Sequence, residues 1–254
     1  MRDRKNRFAK KKFKIRNALC IIFSVLFLFS IYKISKWFID NNKTNKQMEI
    51  IHSAISVIKT DDENNSFELE IDFTKLKELN NDTVGYLIIK NTNIDYPVVK
   101  TSDNDYYLHH GFDKRSNGAG WIFSDFRNRF DGSDKNIIIY GHNRKDGIMF
   151  GTLDNVFSSS WNSEEANLSI DLYRMGLKES YRIFSCYETD NTDDYLKTNF
   201  DGNEFLDYIN TVKKKSIKDY KIEVNNDDNI LTLSTCGKTS KTRIVVHAVK
   251  VNNN

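Results

Sequence analysis

"NILTLSTCGKTSKTRIVVHAVKV", residues 229–251, decides how the rest of the chain is read. Two runs rich in Ile, Leu, Val and Thr flank a short polar turn, which is the pattern of a β-hairpin. Cys236 closes the first run and Arg243 opens the second. A hairpin sets the ends of its paired strands side by side, so a thiol and a guanidinium become neighbours. Sulfur is a strong nucleophile only as thiolate, and a nearby cation favours that form. The residues alone leave a second reading open, in which Cys236 is a small hydrophobe packed at a strand end.

Upstream of the hairpin the same pattern repeats. "VGYLIIK" (84–90), "NIDYPVV" (93–99), "GWIFSD" (120–125), "NIIIYG" (136–141), "LSIDLY" (168–173), "SYRIFSCY" (180–187) and "YKIEV" (220–224) are short and bounded by Asn, Asp or Gly. With 230–236 and 243–251 they read as strands, and their spacing predicts a closed or nearly closed β-barrel. One long insert, 188–219, interrupts the series. It opens with acidic and polar residues and continues as "NEFLDYINTVKKKS", a helical pattern. Nearer the N-terminus, "NNKTNK" (41–46) reads as a polar spacer, and helical spacing is expected over 47–59 and 73–80.

The first forty residues read as an address. Nine Lys and Arg residues crowd Arg2–Arg16, and without them the formal net charge of +3 becomes negative. "ALCIIFSVLFLFSIY" (18–32) carries no charge and continues through "KISKWFI" to Ile39. A spanning helix needs roughly 20 residues. Lys33 and Lys36 can snorkel to headgroups, and Trp37 and Phe38 suit the interface. A positive flank stays in the cytoplasm, which puts the remainder outside. A cleaved signal peptide is the competing reading, but no small-x-small site follows the apolar run. A basic run also fits nucleic acid, and the apolar segment directly behind it argues against that partner.

An exported chain can carry disulfides, yet this one has 3 cysteines and Cys20 lies in the apolar segment. Cys186 and Cys236 could form one bridge or none, so the exported part is not a disulfide scaffold. A base for a thiol would come from the 5 histidines. His52 falls in the N-terminal helical pattern, and His247 lies within the last strand, as packed residues do. His109 and His110 lack further ligands at metal-binding spacing, so no metal or cofactor is implied. His142 follows a strand and sits in the turn "GHNRKDG", where Gly141 lets the backbone bend. The residues therefore nominate Cys236, His142 and Arg243.

"TLSTC" followed by "RIVVHA", with "YGHN" and "MFG" upstream, resembles the sortases, specifically class B. The likeness spans Asn81 to Val251 and takes in "IDYPVV", "IFSDFRN" and "KTNF". It implies a mainly β fold: an eight-stranded sortase-type barrel with N-terminal helices and a helix in the long loop at 188–219. It also implies four segments: a cytoplasmic basic tail (1–17), a transmembrane signal-anchor (18–39), a helical linker (40–80) and the catalytic barrel (81–254). Sortases of this class are membrane-anchored cysteine transpeptidases of Gram-positive bacteria, working on the extracellular face. They cleave a C-terminal sorting signal after Thr and pass the acyl group to an amine of a peptidoglycan precursor, lipid II. The expected partners are thus surface proteins bearing that signal, the precursor amine and the membrane, with no nucleic acid.

The family cysteine, histidine and arginine fall on Cys236, His142 and Arg243. Substrate contacts fall on Asn104 and Leu108 in "DNDYYL", Tyr140 in "YGH", Tyr195 and Leu196 in "DDYLKTNF", and Ser234 in "STC". Gly237 departs from the pattern, standing where an acidic residue can follow the cysteine. Two other classes compete: a surface cysteine peptidase with water as acceptor, and a catalytically silent, membrane-tethered binding protein.

Overall fold

No Gly or Pro occurs before Gly85, so nothing in the covalent chain stops a helix that has started near the N-terminus. In a computed structural model, describing residues 2–59, 67–174, 177–190, 194–237, 239 and 241–251, that helix is α1, Arg2–His52. The chain divides into two compact units, Met1–Lys43 and Thr44–Asn254. Within the first, the apolar side chains from Phe13 to Ile39 are exposed along the helix. The stretch from Phe13 on is long and apolar enough to cross a membrane. The expected polar spacer at 41–46 is helical, because Asn, Lys and Thr disfavour a helix only weakly.

The second unit opens on the last turns of α1. Ile51 is fully buried there, and the Asn117 amide donates to Thr44 Oγ1 at 3.0 Å. The helix expected over 47–59 ends early. From Ile55 the chain is a strand, β1 (Ile55–Lys59), paired antiparallel with β2 (Phe67–Ile71). Three β-branched residues in "ISVIK" favour extended backbone over further helix. α2 (Phe73–Leu79) is capped by the Asp72 carboxylate, which accepts from the Lys75 N–H at 2.9 Å.

Eight strands then close a barrel. They are β3 (Thr83–Ile89), β4 (Asp95–Val99), β5 (Phe123–Ser124), β6 (Asn136–Tyr140), β7 (Ser169–Arg174), β8 (Leu177–Asp190), β9 (Ile230–Cys236) and β10 (Thr242–Lys250). Around the barrel the order is β10-β8-β7-β3-β4-β5-β6-β9. Two joins are parallel, β4 with β5 and β6 with β9; the others are antiparallel. Alternation sorts each strand. On β10, Ile244, Val246 and Ala248 join the interior core, while Val245 and Val249 join a second cluster on the outer face.

That outer cluster is covered by α4 (Glu204–Lys215), which presents Phe205, Tyr208, Ile209 and Val212. The spacing i, i+3, i+4, i+7 puts all four on one face. A short helix, α3 (Ser159–Ser163), lies in the β6–β7 connection. His247 is buried under α4, with its ring nitrogens 2.9 Å from Thr232 Oγ1 and 3.0 Å from the Tyr187 hydroxyl. Burial pushes its pKa down to about 3, so it stays neutral.

Two strand expectations need correction. "YKIEV" (220–224) joins no sheet. Lys221 takes φ +54, which breaks extended backbone, so Tyr220 turns inward to Asn162 while Val224 packs in the outer cluster. "GWIFSD" yields only the two-residue β5, because Gly120 bends the chain at φ +61 immediately before it.

Candidate active site

The register of the final hairpin sets Cys236 directly opposite Arg243. Tyr140 on β6 pairs with Ser234 on β9, so the next residues of both strands run on together. Thr235 Oγ1 donates to the Gly141 carbonyl at 2.6 Å, and Asn143 Nδ2 donates to the Cys236 carbonyl at 2.8 Å. These two bonds carry the parallel register past the strand end and bring His142 alongside Cys236. The turn at 238 and 240 lies outside the described residues.

One glycine makes room for the imidazole, and a second makes room for the backbone that carries it. A Cβ on Gly120 would sit 2.7 Å from His142 Cδ2 and 2.7 Å from the Tyr107 carbonyl oxygen, at a φ that side chains rarely adopt. A Cβ on Gly141 would drive into Ile122 and Phe150. His142 Nε2 lies 2.8 Å from the Leu108 carbonyl oxygen. A carbonyl only accepts, so Nε2 carries the hydrogen and Nδ1 is the basic nitrogen of the neutral ring. Arg243 Nη1 donates to the Thr242 carbonyl at 2.9 Å, which holds the guanidinium beside its own strand.

All nine nominated side chains line one cavity of about 350 Å³: Cys236, His142, Arg243, Asn104, Leu108, Tyr140, Tyr195, Leu196 and Ser234. Phe123, Gly141 and Thr235 complete the lining. A larger cavity of about 790 Å³ opens at the barrel mouth, beside Asn143, Gly237, Glu188 and Ile244, but none of the nine line it. We take the smaller one as the site, since it alone holds the thiol, the imidazole and the guanidinium. The absence of an acidic residue at 237 has a local cause: a side chain there would collide with Thr242 and Glu188.

The insert that follows β8 forms one wall of the cavity. Tyr195 is only 2 % exposed, although it directly follows the acidic and polar opening of the insert. Its hydroxyl lies 3.0 Å from Ser234 Oγ, and its carbonyl accepts from the Tyr208 hydroxyl at 2.8 Å. The next two carbonyls are held as well, Leu196 by Arg127 Nη2 at 2.9 Å and Lys197 by Asn136 Nδ2 at 2.7 Å. The aromatic cluster under α4 supplies the burial that pins this segment.

Asp125 and Arg127 are functional candidates that the sequence reading passed over, although "IFSDFRN" was part of the resemblance. The Asp125 carboxylate has no exposed surface and accepts from Arg127 Nε and Nη2, both at 2.8 Å. Burial alone would raise its pKa; the Arg127 side-chain and backbone donors and the Tyr140 hydroxyl instead hold it below the usual carboxylate range. Tyr140 shifts the opposite way, raised first by burial and then by Asp125. Among the described residues no cluster could hold a metal ion.

The fold and the gathered side chains define a class of protein: a closed β-barrel with a thiol at the end of a narrow, mostly apolar groove. Residues 87–251 match the family model described as the Sortase domain, and the chain belongs to the sortase family, in class B. It is 37% identical over 229 residues to Sortase B of Listeria monocytogenes, covering 89% of this chain and 92% of that protein. It is similar to the X-ray structure of Clostridium perfringens sortase B (TM-score 0.67, 37% identity), covering 71% of this chain and 100% of that one. It is also similar to a Staphylococcus aureus sortase B–substrate complex (TM-score 0.67, 31% identity), covering 72% and 86%. The chain is thus a cysteine transpeptidase acting on peptide bonds.

Proposed function

We propose that Cys236, His142 and Arg243 carry the transpeptidation and that the groove binds a C-terminal sorting signal. The observation that carries this reading is the meeting of nine side chains from five separate segments in one cavity, with Cys236 and Arg243 as register partners. Cys236 attacks the carbonyl of the Thr before the scissile bond. Arg243 donates to the developing oxyanion, and a guanidinium already in place needs no reorganisation as charge builds. His142 takes the thiol proton at Nδ1 as the sulfur attacks and gives it to the leaving amine when the C–N bond breaks, and the thioester remains on Cys236. The acceptor amine, from a peptidoglycan precursor such as lipid II, then loses a proton to His142 as it displaces the sulfur.

The groove residues divide by chemistry. Leu108, Leu196 and Tyr195 offer apolar surface, while Asn104, Tyr140 and Ser234 offer polar atoms to the peptide. In the cell, residues 18–39 anchor the chain as a single span, 1–17 face the cytoplasm, 40–80 link, and 81–254 work on the outer face. The apolar exposed helix and the basic residues before it support this topology.

The test is a pooled library of short peptides incubated with the full chain in detergent, with and without an added amine. The expected outcome is cleavage after Thr, a thioester adduct on Cys236, and an amide product when amine is present. A free acid in the presence of saturating amine would mean a peptidase. No cleavage together with a Cys236 inert to alkylation would mean a binding protein. A chain that starts at Thr44 should stay soluble and cleave as well; an insoluble or inactive product would place part of the catalytic unit in the first 43 residues.

A further inference from the structure

Asp125 gathers five hydrogen bonds on one buried carboxylate. Arg127 supplies three, from Nε and Nη2 at 2.8 Å and its backbone N–H at 3.0 Å. Asn104 Nδ2 supplies the fourth at 3.0 Å, and the Tyr140 hydroxyl the fifth at 2.8 Å. Asn104 is fixed at its other end too, since its Oδ1 accepts the Phe126 N–H at 3.0 Å. Arg127 Nη2 reaches on to the Leu196 carbonyl at 2.9 Å. Asn104 comes from the β4–β5 connection, Tyr140 from the end of β6 and Leu196 from the insert after β8. All three line the groove.

A buried acid held by an arginine can serve the fold alone. Here, however, every side-chain partner of the carboxylate apart from Arg127 is a groove wall, and Arg127 itself holds the third wall segment, at Leu196, in register. We propose that Asp125 and Arg127 are positioning residues for peptide recognition. The carboxylate sets the Asn104 amide and the Tyr140 hydroxyl, and the guanidinium sets the backbone at Leu196. The groove is then built before the signal arrives, so binding does not have to order it. The proposal rests on the reading of this groove as the sorting-signal site.

The test uses the full chain in detergent and the peptide that wild type cleaves fastest from the pooled library. Asp125→Asn keeps the shape but removes the charge and turns one acceptor into a donor. KM should rise about tenfold, with kcat within about threefold, since several bonds to an ionised group are weakened without touching the thiol. Alkylation of Cys236 by iodoacetamide should keep its wild-type rate. Arg127→Lys, which keeps the charge but loses the fork, should move KM the same way by a smaller factor. Asn104→Ala should cost less in the Asp125→Asn background than in wild type, because Asp125 acts through Asn104.

Unchanged KM in both single variants, or strictly additive losses in the double variant, would overturn the proposal. If Asp125→Asn does not fold, Arg127→Lys decides by the same readouts, because its side chain is 38% exposed and tolerates change. The two readings fail separately. If Asn104→Ala and Leu196→Ala leave KM unchanged, the groove is not the peptide site. If they raise KM while Asp125→Asn and Arg127→Lys do not, only the positioning role is lost.

Discussion

Cys186 and Cys236 lie on the two strands that flank β10, facing Val246 and Arg243 across the ladder. Both are free thiols on Ile- and Ser-containing strands, and their surroundings are opposite. Cys186 points into the barrel, is fully buried, and lies 3.0 Å from the Tyr220 hydroxyl. Burial pushes its pKa up to about 11, with Tyr220 and Lys218 acting weakly the other way. Cys236 is half-buried at a strand end, in the groove, with a guanidinium as its register partner. The two histidines divide the same way: His247 is sealed under α4, and His142 stands in the groove on glycine-bounded backbone. The surroundings of each thiol and imidazole follow from the end and the face of the strand it sits on, not from the residue type.

The contrast breaks most sharply at the thiols themselves. Cys236→Ala should abolish cleavage and thioester formation, followed by mass spectrometry, while its melting temperature stays within about 2 °C of wild type. Residual turnover in that variant would show that another residue is the nucleophile. Arg243→Lys should lower kcat/KM by about 10²–10³, because an ammonium cannot reproduce the paired donors of the fork. Kinetics near wild type would reduce Arg243 to a general positive field.

Tyr195→Phe sharpens the boundary between groove and core. The lost hydroxyl bond to Ser234 should cost about 1 kcal/mol, seen as a fall of roughly 2–4 °C in melting temperature. A few-fold rise in KM is expected with it, since Ser234 and the insert share that bond. An unchanged melting temperature would mean that the α4 cluster holds the insert unaided. The smallest effect belongs to the other thiol. Cys186→Ala should leave kcat/KM within about twofold of wild type and lower stability modestly, as for a small buried group. In native protein at pH 8, iodoacetamide should modify Cys236 and spare Cys186 until denaturant is added. Early labelling of Cys186 would show that the barrel interior opens far more readily than its packing implies.

Much of this was legible in residue order. Short Ile- and Val-rich runs at even spacing specify strands, because β-branched side chains suit a pleated, half-buried surface. The apolar run behind a basic tail specifies a membrane-length helix by transfer free energy alone. The hairpin placed Cys236 against Arg243 because a ladder pairs residues at equal distance from its turn.

What lies outside that reach depends on partners distant in the chain. Nothing local shows that "YKIEV" would leave the sheet; the reason lies in Asn162 and Cys186, which take up Tyr220. The β-branched residues of "ISVIK" lean toward extended backbone, but they do not by themselves end α1, since the same five residues also satisfy helical spacing until β2 offers them a ladder. Asp125 looks like a turn residue in "FSDFRN" until Asn104, Tyr140 and Arg127 converge on it across gaps of 21, 15 and 2 positions. Strand pattern and the long apolar helix are set by each residue's own preference for water or a neighbour. The groove is set by which buried polar groups can satisfy one another, and only the closed barrel brings those groups within 3 Å.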